Sequence, residues 1–357
     1  MRDTDHIPVL LGPVLDVLRP SPPDGSGGSA GVATAGAATP LTFLDATAGL
    51  GGHAAAIARH LPAGATVILN DLDAGNLDHA AARVAREAPH AAVLTHRGNF
   101  AALPRWLAER GLSADLFMAD LGFASSQVDD PARGLSFSRD GPLDMRLDPT
   151  ARTSAAELIA SLPEPDLAQI IFEYGDERHS RAIARAIVEA RKRSPLTTTA
   201  QFAETVRAAL RGKVPPREVT GIDPATKTFQ ALRIAVNDEL GNLHALLDQI
   251  EKAARLPLPG GEGPGAGFQR SVQVSTEPLR ERRPWLAPRA TIAVITFHSL
   301  EDRPVKQSFV RLVESGRAEH ATPKGKPISG DEAELQANPR ARSAKLRAVR
   351  LGGPITR

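Results

Sequence analysis

The sequence predicts an α/β fold, a doubly wound, Rossmann-like sheet of mainly parallel strands interrupted by an inserted all-helical domain. Three observations predict it. Short apolar runs alternate with helix-period segments between Leu41 and Ala119, and a glycine-rich turn closes the first run. Strand signal then vanishes from Asp129 to Pro224 and returns only at Ala290.

Each element has its own signature. Leu41–Ala46 (LTFLDA) is apolar and stops at glycines, which marks a buried strand, and the alanine-rich His53–Leu61 reads as a helix. Thr66–Leu69 is a second strand running into the acidic NDLD, followed by a helix from Ala74 to Glu87. Ala91–Thr95, Pro104–Arg110 and Asp115–Ala119 continue the alternation as strand, helix and strand. Such an order requires crossovers and therefore a parallel sheet. Ser180–Arg191 is a helix with Ile183, Ile187 and Ala190 on one face and Arg178, Arg181 and Arg185 clustered elsewhere. From Lys227, the residues Phe229, Leu232, Val236, Leu240, Leu243, Leu247 and Ile250 recur every three or four positions, which predicts one long helix. The last strand signal is Ala290–Phe297 (ATIAVITF).

Three segments follow: 1–128 as the first part of the sheet domain, 129–224 as the helical insertion, and 225–357 as the second part. The Gly/Pro-rich stretches 19–40 and 256–288 have little to bury and are expected to be flexible insertions.

Composition narrows the function classes. The 357 residues are 42% apolar and 24% charged, the balance of a soluble protein. Apolar runs are too short for a membrane span, and MRDTDHIP lacks a signal core, so a cytoplasmic protein with no membrane partner is expected. Without cysteine there can be no disulfide, no thiolate metal site and no thiolate nucleophile; no metal site is expected. The net charge of +2 does not announce a nucleic-acid binder. Its distribution says more: Gln336–Arg357 carries Arg340, Arg342, Lys345, Arg347, Arg350 and Arg357 and no acid, which suits either a solvated tail or RNA phosphate.

The turn after the first strand reads Asp45-Ala46-Thr47-Ala48-Gly49-Leu50-Gly51-Gly52-His53. Glycines there permit positive φ and close approach of a ligand, and the following helix offers free N–H groups. Asp71, at the end of the second strand, can accept both hydroxyls of a ribose, and Asp73 would point the same way. Gly49, Gly51 and Ala54 also satisfy the dinucleotide fingerprint. Asp45 weighs against that rival, because a pyrophosphate would meet its charge whereas a cationic ligand would be favoured.

From Asp120 the chain reads DLGFASSQVDDPARGLSFSRDGPLDMRLD. Together with HIPVLL, AGLGGH, KTFQALRIAVNDEL, TFHSLEDRPVK and RSAKLR, this resembles the bacterial small-subunit ribosomal RNA cytosine-N4 methyltransferase family, with blocks in family order from residue 6 to residue 347. Ala124 and Ser126 depart from the family's SSPQ, Ala74 replaces a proline, Thr296 a serine, and Leu135 a phenylalanine. The resemblance implies a class I methyltransferase sheet and S-adenosylmethionine as donor. It also implies as substrate a cytidine N4 in the decoding region of small-subunit rRNA, free or in the assembled subunit. The donor-binding positions it carries over are Gly51, Gly52, His53, Asp71, Phe100, Asp120 and Gln127. Missing cysteine independently disfavours C5 methylation, which needs a thiolate.

An exocyclic amine is a weak nucleophile, and acceptors that align it and take its proton would help. Asp120, His298, Glu301 and Asp302 are the candidates, with Asp144 in GPLDMR as a fifth. RNA contact is expected from Arg178, Arg181 and Arg185, from 191–193, and from Arg342, Lys345 and Arg347. A homodimer is compatible with the sequence.

Overall fold

The computed structural model describes residues 8–20, 40–123, 127–128, 130–214, 223–255 and 284–352. The two expected flexible insertions lie almost wholly outside the described residues. The chain divides into two compact units, Met1–Leu121 with Leu243–Arg357, and Gly122–Asn242.

The first unit is built on a seven-stranded sheet in the order β3-β2-β1-β4-β5-β7-β6. Its strands are β1 (Thr42–Asp45), β2 (Thr66–Asp71), β3 (Ala92–Arg97), β4 (Ala114–Asp120), β5 (Leu286–Thr296), β6 (Ala318–His320) and β7 (Lys345–Leu351). The first five pair in parallel; β7 runs antiparallel to both β5 and β6. The central strands are buried on both faces, so their side chains divide by alternation. Phe43, Val67, Leu69, Leu116 and Met118 enter one core with α1 (Leu11–Leu18), α2 (Gly52–Ala58) and α3 (Ala74–Glu87). Leu44, Ile68, Phe117 and Ala119 enter the other with α4 (Leu103–Arg110) and two helices from later in the chain. Helices therefore cover both faces, as a doubly wound sheet requires.

β5 begins four residues earlier than its apolar run suggests. The ladder with β4 shifts register between Ala114 and Leu116, and Pro288, which has no N–H to offer, falls within the irregular stretch.

The second unit contains α5 (Ala155–Ser161), α6 (Glu164–Gly175), α7 (Ser180–Arg193), α8 (Thr199–Leu210) and α9 (Thr226–Asn237). Ser154 with Glu157 and Thr198 with Gln201 form reciprocal capping boxes that start α5 and α8. Leu167, Ile171, Ile183, Ile187, Phe202, Val206, Phe229 and Leu232 make one core. α9 belongs to this core because Phe229 stacks near Phe137 and Phe202, at 4.5 and 5.3 Å between ring centres. The helical unit thus extends beyond 129–224 at both ends, to 122–242.

The single long helix expected from Lys227 is two. α9 stops at Asp238, which takes φ 47°, and α10 (Glu239–Ala253) starts immediately after. Asn242 Nδ2 donates to Asn237 O at 3.1 Å, and a side chain at Gly241 would run into the Asp238 carboxylate. The apolar stripe continues across the break into Leu243, Leu246, Leu247 and Ile250, which join the sheet's second core. Both halves keep helical periodicity, so the pattern hides the turn between them. In the first unit, α11 (Ser299–Glu314) follows β5, and α12 (Glu332–Ala337) precedes β7. The basic C-terminal stretch is therefore partly a sheet strand rather than a free tail.

Candidate active site

The carboxyl ends of β1, β2 and β4 each carry an acid: Asp45, Asp71 and Asp120. In a doubly wound sheet these ends form the ligand edge. The turn after β1 is pinned from both sides. Ala46 N donates to Met118 O and Ala48 N to Asn70 O, each at 2.8 Å. Asn70 Nδ2 donates to Ala46 O at 2.8 Å, and its Oδ1 accepts from His96 Nδ1 at 2.7 Å. Thr47 N donates to Asp45 Oδ1 at 3.0 Å, and Asp120 N donates to Thr47 Oγ1 at 2.7 Å, which ties β1 to the tip of β4. Thr47 and Asn70 were not singled out from sequence; their signal was adjacency to the two acids.

The loop's N–H groups are already directed inward. Gly49, at φ 50°, donates to Asp71 Oδ2 at 2.8 Å, and Gly51 N donates to Ala48 O at 2.8 Å. Two donors that a pyrophosphate would require are thereby occupied, and three carboxylates face the same edge. Gly51, at φ 75°, is held by packing: a Cβ there would lie 2.7 Å from Ala80 Cα. At Gly52 it would lie 2.6 Å from Pro8 Cγ. These two glycines let α2 sit against α3 and the N-terminal segment, a role the sequence reading gave to ligand approach.

Asp71 accepts from Gly49 N and, at 2.8 Å, from Asp73 N. Each oxygen retains a second lone pair. Asp73 does not double it: its carboxylate caps α3, accepting from Gly75 N at 2.9 Å and Asn76 N at 3.3 Å. Phe100 follows β3 on a turn capped by Asn99 and is half-buried against the second core. Gln127 is buried within the helical unit.

His53 is buried. Its buried Nε2 lies 2.8 Å from Val9 O, and its Nδ1 lies 3.6 Å from Asp120 Oδ2. Asp120 Oδ1 is buried with no hydrogen-bond partner. Burial, reinforced by the charges of Asp45 and Glu301, drives the Asp120 carboxyl well above its usual range. Burial likewise lifts Asp45 to about 7, against the Thr47 hydrogen bond and with help from Asp71. Asp71 is also raised, by burial over the opposing backbone bonds from Asp73 and Gly49. The edge is a cluster of acids that resist full ionisation, the electrostatic setting in which a cation is welcome.

Beyond β5, Glu301 folds back over the start of α11, where its Oε2 accepts from Phe297 N at 2.8 Å and His298 N at 3.4 Å. His298 Nε2 is 3.1 Å from Glu301 Oε1 but out of line for a hydrogen bond. Asp302 is turned to β7: Arg347 Nε and Nη2 donate to its two oxygens at 2.7 and 3.1 Å, with Lys345 Nζ at 3.4 Å. Burial works to raise Asp302, but Arg347 and Lys345 outweigh it and hold the carboxyl below its usual range. Among the catalytic candidates, Asp120 and Glu301 share one electrostatic cluster, whereas Asp302 is committed to a buried ion pair. Asp144, in the helical unit, is gripped by Arg146 through two bonds of 2.8 and 2.7 Å.

The RNA candidates divide similarly. Arg178 stands just ahead of α7, with Arg181 and Arg185 on it, all exposed; Arg185 lies 3.6 Å from Glu164. Arg191 instead turns inward to the carbonyls of Ile159 and Leu162. Arg342 is exposed, Lys345 is half-exposed, and Arg347 is 9% exposed.

Comparison with known proteins extends this picture. The profile of the MraW methylase family matches residues 3–256 and 272–351. The ribosomal RNA small subunit methyltransferase H of Granulibacter bethesdensis is 39% identical over 360 residues, covering 96% of this chain and 90% of the relative. The protein of that name from Halorhodospira halophila is 40% identical, with 97% and 94% covered. That from Sorangium cellulosum is 40% identical, with 99% and 92% covered. By profile and by relatives aligned along nearly its whole length, this chain belongs to the MraW methylase family.

Proposed function

We propose that this protein transfers a methyl group from S-adenosylmethionine to the exocyclic N4 of a cytidine in the decoding region of small-subunit ribosomal RNA. One observation carries the choice of chemistry. In a methylase-family chain, the acid that ends β4 keeps a buried carboxylate oxygen without a partner, at the ligand edge of the sheet. An amine hydrogen is what such an oxygen lacks.

The residues present fit the donor. Asp71 has lone pairs left for ribose hydroxyls, and the Asp45–Asp71–Asp120 cluster favours a ligand carrying positive charge. When bound, the donor supplies an electrophilic methyl on a cationic sulfur. Gly51, Gly52 and His53 would contribute the shape of the turn, Asp71 the ribose contact, and Phe100 an apolar wall. Gln127 stays in the set on the resemblance alone. Asp120 accepts a hydrogen bond from the N4 amine, aligns its lone pair and receives the proton released when the nitrogen gains its methyl. Glu301 shapes the charge around Asp120. The exposed arginines of the helical unit and Arg342 would meet RNA phosphate.

Mass-spectrometric mapping of methylated cytidines on small-subunit RNA tests the reading. A strain lacking the gene should lose one N4-methyl at one cytidine and regain it with the wild-type gene. An unchanged methylation map would refute it. Comparing free RNA with assembled particles in vitro identifies the form of substrate.

A further inference from the structure

Asn70 is the penultimate residue of β2 and holds the turn after β1 at two points. Its backbone O accepts from Ala48 N and its side-chain Nδ2 donates to Ala46 O, each at 2.8 Å. Asn70 is 1% exposed, so its remaining side-chain atom, Oδ1, is cut off from water and depends on a donor from the protein. His96, paired with Asn70 in the β2–β3 ladder, supplies it: Nδ1 lies 2.7 Å from Oδ1. Because Nδ2 is committed to a carbonyl, Oδ1 is the amide atom that faces His96, and an amide oxygen only accepts. Nδ1 therefore carries a hydrogen, and it does so in the neutral and the charged ring alike. The ring is confined in this pose. Trp106 lies against it at 4.8 Å between ring centres, and Arg110 lies 4.3 Å from the centre of the Trp106 ring. A Cβ at Gly98 would come within 2.7 Å of His96 Cε1.

We propose that His96 is a positioning residue for the methyl donor: it fixes the Asn70 amide, and Asn70 in turn holds the glycine turn in the shape that the donor meets. The inference rests on the reading of that turn as the donor site. Gly49 and Gly51, both at positive φ, give the turn little stiffness of its own, so its conformation depends on such ties. A leucine at position 96 leaves Oδ1 buried without a donor, and the amide relaxes away from Ala46 O to recover one. The turn then loses a tie to β2 at the residue that follows Asp45. An asparagine at position 96 keeps a side-chain N–H near the place of Nδ1 and preserves the tie.

The first test needs no donor or RNA. NMR of the histidine ring nitrogens at alkaline pH reads the tautomer of His96 in the full-length protein, its signals assigned by their absence in His96→Asn. The wild-type ring carries its hydrogen on Nδ1; a ring protonated on Nε2 alone overturns the proposal. The second test is calorimetric titration with S-adenosylmethionine, on variants that melting curves show to be folded. His96→Leu weakens donor binding about threefold to tenfold, the contribution of one hydrogen bond. It raises the donor KM by the same factor while the RNA KM holds. His96→Asn binds the donor within about twofold of wild type. Wild-type donor affinity in folded His96→Leu, or an RNA KM that rises as far as the donor KM, overturns the proposal. Should the wild-type protein bind no S-adenosylmethionine, the donor reading itself fails. Unchanged affinity in His96→Leu, beside a wild type that binds, leaves that reading standing and removes His96 alone.

Discussion

Asp45 is 2% exposed, and burial together with Asp71 lifts its carboxyl to about 7. A group raised in the folded state binds its proton more tightly there than in the unfolded chain. Folding stability therefore falls as pH rises from about 4 to about 7 and stays reduced above that. Asp45→Asn keeps an oxygen for Thr47 N and removes the ionisation. The variant should be more stable than wild type by a few kcal/mol at pH 8, with the difference shrinking towards pH 5; pH-resolved thermal unfolding measures it. Asp120→Ala differs in kind: methyl transfer should fall at least ~100-fold with the melting curve retained, and near wild-type turnover would remove Asp120 from the mechanism. At this scale the sequence was informative where chemistry follows position. Asp71 and Asp120 end strands, and an acid at a strand's carboxyl end is visible as such. Asp73 was expected to point with Asp71 as a second ribose acceptor, and the geometry makes it the cap of α3 instead. The inward turn of His53 depends on Val9, 44 residues away, and no local pattern carries it.

Elements were read well where burial imposes a period and poorly where two patterns coincide. β1, β2 and β4 are apolar, bounded by turns and buried on both faces, so they were found within a residue or two. The break at Asp238 was invisible because α9 and α10 carry the same repeat. β7 was hidden by charge: Lys345, Arg347 and Arg350 suggest solvent, yet Arg347 is buried against Asp302. That pair joins α11 to β7, and its loss should be structural. Arg347→Ala leaves Asp302 buried without its guanidinium and should cost about 3–5 kcal/mol, measured by denaturant unfolding. Replacing both by apolar residues of similar volume should restore most of it. Because Asp302 is depressed, the pair's contribution is present at neutral pH and is lost only as pH falls below about 4. Gly51→Ala tests the packing assigned to the turn. A methyl 2.7 Å from Ala80 Cα, at φ 75°, should lower stability by about 1–3 kcal/mol even without ligand; unchanged unfolding would restore ligand approach as the reason for glycine.

For the molecule as a whole, a formal charge of +2 cannot steer RNA by itself, so phosphate binding must come from local clusters. Burial separates the basic residues that can serve from those that cannot. Arg191 and Arg347 spend their guanidinium groups on carbonyls and on Asp302, whereas Arg178, Arg181, Arg185 and Arg342 are exposed. Arg185 shares its charge with Glu164 at 3.6 Å, but an exposed pair of this kind contributes at most about 1 kcal/mol, and a phosphate can displace it. Neutralising Arg178, Arg181 and Arg185 together, each as Arg→Gln, should weaken RNA binding with little change in unfolding. For single-stranded RNA each phosphate contact adds roughly −0.7 to the slope of log affinity against log salt. If all three arginines contact phosphate, the triple variant's slope should therefore be shallower by about 2. Arg342→Gln, on the sheet unit, should subtract a further ~0.7. Titrations of labelled small-subunit RNA at several salt concentrations read both numbers. A slope unchanged by the triple substitution would mean that the helical unit meets its substrate through other residues, the exposed Lys192 and Arg193 among them.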